Sequence, residues 1–309
     1  MSIIDVKNLK KTFNRREVLK GITFSVEKGE VFGFLGPNGA GKTTTMRCIL
    51  GLLRPTEGEA LVFGESLAAK DGTRGRVGVL LDKNGVSDTL SARENLEYYA
   101  RLYGVPDPVG RATEILEFTG LTERQDSLVG TFSTGMKRKL GLGRAILHDP
   151  EVLFLDEPSA GLDPEAQRMV RDLILDLSRK EGMTVFVNSH NLDEIQRVCS
   201  KVAILHQGKV RAFDTVEHLR GGREGTHLRV VLSDPASAER AVAVLGTVPG
   251  TGGLSREGET VSATFAGESA AEIVRALVTA GCGIEEVTRE RRSLEEIYLA
   301  AVRQAEGSA

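Results

Sequence analysis

The spacing of apolar positions changes several times along the chain, and each change marks an element. Residues 3–9 (IIDVKNL) and 18–26 (VLKGITFSV) alternate apolar and polar positions, as strands do when one face of an antiparallel sheet is buried. Residues 28–35 (KGEVFGFL) turn at Lys28-Gly29 into a nearly all-apolar run, which predicts a central strand buried on both faces. A glycine loop running into a helix follows (GPNGAGKTTTMRCILGLL), and then short strands at 59–63 and 76–81. From about Thr89 to Leu147 the spacing is helical, in SARENLEYYARLYG, VGRATEILEFTG and STGMKRKLGLGRAIL. Beyond that come EVLFLD as strand, PEAQRMVRDLILDLSRKEG as helix, TVFVNS as strand, LDEIQRVC as helix and KVAILHQGKVRAFD as a hairpin. Strands alternating with helices around glycine loops predict an α/β core with a largely parallel sheet.

Residues 221–225 (GGREG) read as a linker. The pattern beyond it gives a strand at Thr226–Leu232, a helix at Pro235–Leu245 and a strand near 252–257. A strand at Thr260–Phe265, a helix at Ser269–Ala280, a strand at Ile284–Glu290 and a closing helix in SLEEIYLAAVRQ complete it. That βαββαβ order predicts a small α+β ferredoxin-like domain. The expected organisation is a first domain over 1–220, a linker over 221–225 and a C-terminal accessory domain over 226–309.

Composition narrows the class only a little. The 309 residues are 40% hydrophobic and 27% charged, ordinary for a globular protein, and suffice for one large or two unequal domains. With a net charge of −3, nothing in the overall charge argues for nucleic acid or an anionic membrane surface, and no nucleic-acid partner is expected. Cys48, Cys199 and Cys282 are too scattered for a metal site or a disulfide framework, which suits a reducing cytoplasm. The N-terminal MSIIDVKNLKKTF lacks the apolar stretch of a signal peptide, and no run approaches the roughly 20 apolar residues that span a bilayer. If the protein works at a membrane, another chain is expected to supply the membrane part.

The chemistry is concentrated in two motifs. Gly36 to Thr43 (GPNGAGKT) fits G-x-x-x-x-G-K-[ST], placed as required between a buried strand and a helix. Such a loop wraps a phosphate with its amide N–H groups, and the helix N-terminus adds partial positive charge. Lys42 is placed to reach the β- and γ-phosphates, and the Thr43 hydroxyl to ligate Mg²⁺. In VLFLDEPSAGLDP, Asp156 and Glu157 end an apolar strand. Asp156 there can help to hold Mg²⁺, and Glu157 can orient or deprotonate a water.

Together with FSTGMKRKLGLGRAIL just before the acidic pair, the motifs resemble, in order, those of the nucleotide-binding subunit of ABC transporters over roughly residues 3–220. The resemblance implies a P-loop NTPase fold, an ABC ATPase core of mixed sheet with a helical subdomain at about 88–147. It implies ATP and Mg²⁺ as cofactors, and catalytic roles for Glu157, His190 and Lys42. Gly36, Pro37, Asn38, Gly39, Ala40, Gly41, Lys42, Thr43 and Thr44 would surround the phosphates, and Phe13 would stack on adenine, with an apolar strand end as the plain alternative. Ser133, Thr134, Gly135 and Met136 match the signature motif, commonly Ser-Gly-Gly-Gln, which in the family touches the γ-phosphate held by the opposite subunit. Asp163 matches a loop that links the subunits, and its Asp-Pro pair also reads as a helix N-cap. His190 matches a switch histidine. Mg²⁺ would lie near Thr43, Asp156 and Asp82. Asp82 stands where the family usually has glutamine, and a plain turn residue is its alternative.

One phosphate loop per chain implies a second nucleotide-binding subunit, a homodimer in the simplest case. The segment from Val77 to Gly104 and the appended tail resemble ABC-2-type exporter subunits, which implies a membrane permease on a separate chain and a place on the cytoplasmic face of the membrane. The implied cargo is a drug, antibiotic or lipid-like substrate. A soluble ATPase of the same family acting on ribosomes or DNA, and a module that binds ATP without turnover, are the other readings. Tyr98, Tyr99 and Tyr103 lie where the family receives a membrane-subunit helix, yet core packing is the plain expectation for each. Lys137, Arg138 and Lys139 read as a solvated helix face.

Overall fold

The computed structural model describes residues 2–69, 72–81, 83–221, 226–265, 270–290 and 293–306. The chain divides into two compact units, one of Met1–Thr215 with Ala301–Ala309 and one of Val216–Ala300. In the first, strands β1 (Ser2–Phe13) and β2 (Arg16–Glu27) pair antiparallel, and β4 (Glu57–Val62) pairs on the other side of β1. Both β1 and β2 run longer than their alternating cores predict. Register shifts after Val6 and Lys11 keep the polar ends, such as Lys10 and Thr12, paired in the ladder.

The second sheet of this unit has six strands in the order β5-β6-β7-β3-β8-β9. They are β3 (Val31–Leu35), β5 (Val77–Leu80), β6 (Val152–Asp156), β7 (Thr184–Ser189), β8 (Lys201–His206) and β9 (Lys209–Thr215). All pair in parallel except the edge strand β9, which returns antiparallel to β8 through the expected hairpin. Strands β3, β6 and β7 are buried along their whole length, through apolar runs at Val31–Leu35, 152–155 and 185–187 and with the polar Asp156, Asn188 and Ser189 buried at their ends. Phe24, Phe32, Phe34, Phe154 and Phe186 meet between the two sheets, with Phe24–Phe32 stacked at 5.4 Å and Phe154–Phe186 at 5.3 Å.

Register decides where the site forms. Leu35 lies beside Ser189, and Asp156 beside Asn188, so β3, β6 and β7 end at one level. The segments leaving those ends are the phosphate loop, Glu157 and His190. Ligands of open α/β sheets bind outside the carboxyl ends of the strands in this way. The helices are α1 (Lys42–Ile49), α2 (Ala92–Leu102), α3 (Pro108–Phe118), α4 (Thr134–Ile146), α5 (Pro164–Glu181) and α6 (Leu192–Val198).

The second unit opens with α7 (Val216–Gly221) and then runs β10 (Thr226–Leu232), α8 (Pro235–Thr247), β11 (Thr251–Glu257), β12 (Thr260–Phe265), α9 (Ala270–Thr279) and β13 (Ile284–Glu290), and α10 (Leu294–Glu306) starts in it. Its sheet order is β11-β12-β10-β13 with every neighbour antiparallel, the ferredoxin-like arrangement of a βαββαβ chain. Leu228, Val230, Leu232, Phe265, Ile273 and Leu277 give it a core of its own. Residues 222–225 of the expected linker lie outside the described residues. Among the described residues, no helix is long and apolar enough to cross a membrane.

Candidate functional site

The phosphate loop leaves β3 at Gly36, where a Cβ would lie 2.4 Å from the Leu205 carbonyl oxygen. At its other end Gly41 has φ +113°, a conformation open to glycine, and a Cβ there would meet Leu19 at 2.6 Å. Gly41 caps α1 without a side-chain hydrogen bond, and the first turn carries no acidic residue. The helix therefore directs its free amides and positive end at the loop. Lys42 is buried, and its Nζ donates to the Gly36 carbonyl at 2.7 Å. A cavity of about 410 Å³ opens here, lined by Arg16, Val18, Pro37, Asn38, Gly39, Gly41, Lys42, Thr43, Thr44 and Glu157. Phe13 is exposed at the end of β1, with Lys11 Nζ 5.0 Å from its ring centroid. It does not line the cavity but pairs across the strands with Arg16, which does.

Asp156 is buried at the end of β6, and Asn188 on the neighbouring strand donates to its Oδ1 at 2.8 Å. Glu157, the next residue, has φ +48°. A non-glycine residue held there costs about 1–3 kcal/mol and persists where its surroundings fix it. Its N–H donates to the Asn188 carbonyl at 2.8 Å. Its carboxylate reaches two cations or potential cations, with Oε1 3.5 Å from Lys42 Nζ and Oε2 2.8 Å from His190 Nδ1. Beneath this pair Glu194 accepts from the Ser159 hydroxyl, and from the Ser189 hydroxyl at 3.1 Å. Burial pushes the Glu194 carboxyl up from its ordinary value against those hydrogen bonds, and the Glu157 charge adds to the rise.

The signature residues gather elsewhere. Ser133 is the N-cap of α4, its Oγ accepting from the Met136 N–H at 3.2 Å. Ser133 and Thr134 are exposed, and a Cβ on Gly135 would lie 2.9 Å from Ala166 Cβ. Asp163 caps α5, accepting from the Ala166 N–H at 2.8 Å with Pro164 in the first helical position. None of Ser133, Thr134, Gly135, Met136 or Asp163 lines the phosphate-loop cavity. Asp82 lies outside the described residues.

Two expectations are corrected. Arg138 is no solvated residue. It is 4% exposed and hydrogen-bonded to the carbonyls of Leu81, Asp156, Glu157 and Pro158. The signal lay in phase, because Arg138 falls on the buried face of α4 with Gly141, Leu142 and Ala145. Tyr98 and Tyr103 are not core. They are 55% and 40% exposed, because α2 buries the stripe of Ala92, Leu96 and Ala100 instead. The contributions of Arg16 and Asn188 carried no sequence signal, since each depends on its cross-strand partner.

The donor set suits a hard cation carried by a nucleotide. A buried carboxylate and a hydroxyl at the start of α1 fit Mg²⁺, which takes one or two carboxylates plus substrate phosphates. Comparison with known proteins agrees with this geometry. The family model described as "ABC transporter" matches residues 19–160. An uncharacterized ABC transporter ATP-binding protein of Bacillus subtilis (strain 168), YhcH, is 35% identical over 300 residues, covering 96% of this chain and 95% of its own. The bacitracin transport ATP-binding protein BcrA of Bacillus licheniformis is 40% identical over 238 residues, 77% of each chain. The solved structure of cbiO1 from Clostridium perfringens, part of an ABC transporter complex, has a TM-score of 0.65 at 25% identity, covering 70% of this chain and 89% of its own. A phosphate loop with an acidic pair at the same sheet end, in a chain matched along nearly its full length by such a relative, is conclusive: this protein belongs to the ATP-binding, ATP-hydrolysing subunits of ABC transporters.

Proposed function

We propose that two copies of this chain close around two ATP molecules and drive export of a drug, antibiotic or lipid-like cargo through a separate ABC-2-type permease at the cytoplasmic membrane face. The observation that carries the chemistry is Glu157, set at the cavity wall between Lys42 and His190. Lys42 exchanges its Gly36 carbonyl contact for phosphate oxygens. Glu157 orients the attacking water and takes its proton, and His190 holds the Glu157 carboxylate in place. Thr43, Asp156 and, on the family pattern, Asp82 would hold Mg²⁺, which would neutralise charge on the phosphates. Phe13, beside Arg16, packs on the adenine.

The signature residues lie outside the chain's own cavity, which supports a composite site. Ser133 to Met136 of one subunit face the γ-phosphate held by Gly36 to Thr44 of the other, and Asp163 bridges the pair. The bacitracin relative supports an exporter, and the exposed Tyr98 and Leu102 on α2, with Tyr103 just after it, give the permease an apolar surface to grip.

Glu157→Gln tests the chemistry. ATP affinity is retained and turnover falls at least a hundredfold, as for loss of a general base. Normal turnover would refute the assignment. Co-purification from native membranes tests the partner. A polytopic membrane protein in near-equal amount is expected, and recovery with ribosomes or DNA instead would refute the exporter reading.

A further inference from the structure

Arg138 lies five residues after the Ser133 cap on α4, buried, with its guanidinium bonded to two other segments of the chain. Nε donates to the Pro158 carbonyl at 2.8 Å. Nη2 donates to the carbonyls of Asp156 at 2.7 Å and Glu157 at 2.6 Å. Nη1 donates to the Leu81 carbonyl at 2.9 Å and to Asn84 Oδ1 at 3.2 Å. One side chain thus ties the signature helix to the loop after β5 and to the end of β6. A guanidinium alone offers five N–H donors in a rigid plane, whereas an ammonium has three. Burying a cation is costly unless its donors are met, so this arrangement has to be satisfied as a whole.

The three carbonyls at 156–158 bracket Glu157, the residue in the left-handed conformation. Its main chain is held on both sides, the N–H by the Asn188 carbonyl and the C=O by Arg138. A shift of α4 relative to β6 therefore pulls directly on the backbone that aims the Glu157 carboxylate.

We propose that Arg138 is a positioning residue for hydrolysis, coupling the placement of the signature helix and of Leu81 and Asn84 to the aim of Glu157 in the same chain. This rests on reading Glu157 as the group that handles the water. Contact of Ser133 with nucleotide then sets α4, and α4 sets Glu157 through Arg138. A site assembled wrongly at the signature end is thereby also misaligned at the base.

The test is a cycle of single-turnover ATP hydrolysis by the full chain in four forms: unmodified, Arg138→Lys, Glu157→Gln and the double variant. Affinity for a fluorescent ATP analogue is measured alongside. Arg138→Lys keeps the charge but cannot meet five acceptors. Its hydrolysis rate is expected to fall about a hundredfold, the loss that follows from a misplacement of about 1 Å, with analogue affinity unchanged. In the Glu157→Gln background the same change is expected to add nothing. An equal loss in both backgrounds, or a loss of affinity matching the loss of rate, would overturn the proposal. A fully active Arg138→Lys beside an inactive Glu157→Gln would overturn it while leaving the base intact. An active Glu157→Gln would remove the base reading and this proposal together. Should Arg138→Lys not fold, Asn84→Ala removes one acceptor without touching the charge. It is expected to slow hydrolysis several-fold, only when Glu157 is present, and an unchanged rate would overturn the proposal.

Discussion

His148 shows how a single side chain ties stability to pH. It follows α4 half-buried, with Nε2 3.2 Å from the Val77 carbonyl and its ring 4.5 Å from that of Tyr103. Burial pushes its pKa below the usual histidine value, against a rise from the Val77 contact and Asp149, and Arg144 and Arg111 lower it further. The folded chain then holds His148 neutral while the unfolded chain takes up a proton near pH 6.5. The stability this contributes is complete above that pH and is lost as pH falls through the lowered folded value. Urea unfolding should show a midpoint that declines from pH 7 toward pH 5, and a smaller decline in His148→Gln. The residues of the two proposed nucleotide motifs were easier to read than this one. Lys42, Thr43, Asp156 and Glu157 announce themselves by fixed spacing around a glycine loop and a strand end. Arg138 did not, because a run of Lys137, Arg138 and Lys139 reads as solvent-facing until the face of α4 is known.

Among the elements, caps were written into the sequence because a cap is local. Asp163-Pro164 starts α5, Asp234-Pro235 starts α8, and Ser91 with Glu94 forms a capping box at α2. Ser133 does the same for α4 and also stands exposed at the surface that the proposed second subunit meets. Its two roles separate by substitution. Ser133→Ala loses the cap, worth about 1 kcal/mol of stability in a urea titration. Ser133→Arg adds a bulky side chain where close approach is needed. Each chain should still bind ATP with unchanged affinity while hydrolysis is blocked, and full activity there would refute the composite site. What the pattern missed at this scale was length and exposure. Strands β1 and β2 extend into polar residues because bulges keep them paired, and Tyr98 turns outward because Ala92, Leu96 and Ala100 take the inner face of α2.

At the scale of the molecule each unit has a hydrophobic core of its own. One is built around Phe24, Phe32, Phe34, Phe154 and Phe186, and the other around Leu228, Phe265 and Ile273. The residues lining the phosphate-loop cavity all come from the first unit. A chain stopped after Gly221 should therefore fold with a cooperative transition and bind ATP with unchanged affinity, as calorimetry and nucleotide titration would measure. Loss of binding would show that the units depend on each other. The sequence by itself determined the elements, their caps, the βαββαβ order and the two phosphate motifs. These follow from periodicity and local backbone chemistry, which act over a few residues. Tertiary structure alone decided which residues converge. Parallel register levelled the ends of β3, β6 and β7, so Lys42, Glu157 and His190 meet although 115 and 33 positions separate them. The helix packing that buries Arg138 against residues 156–158 is likewise a property of the assembled fold, because burial depends on neighbours far along the chain.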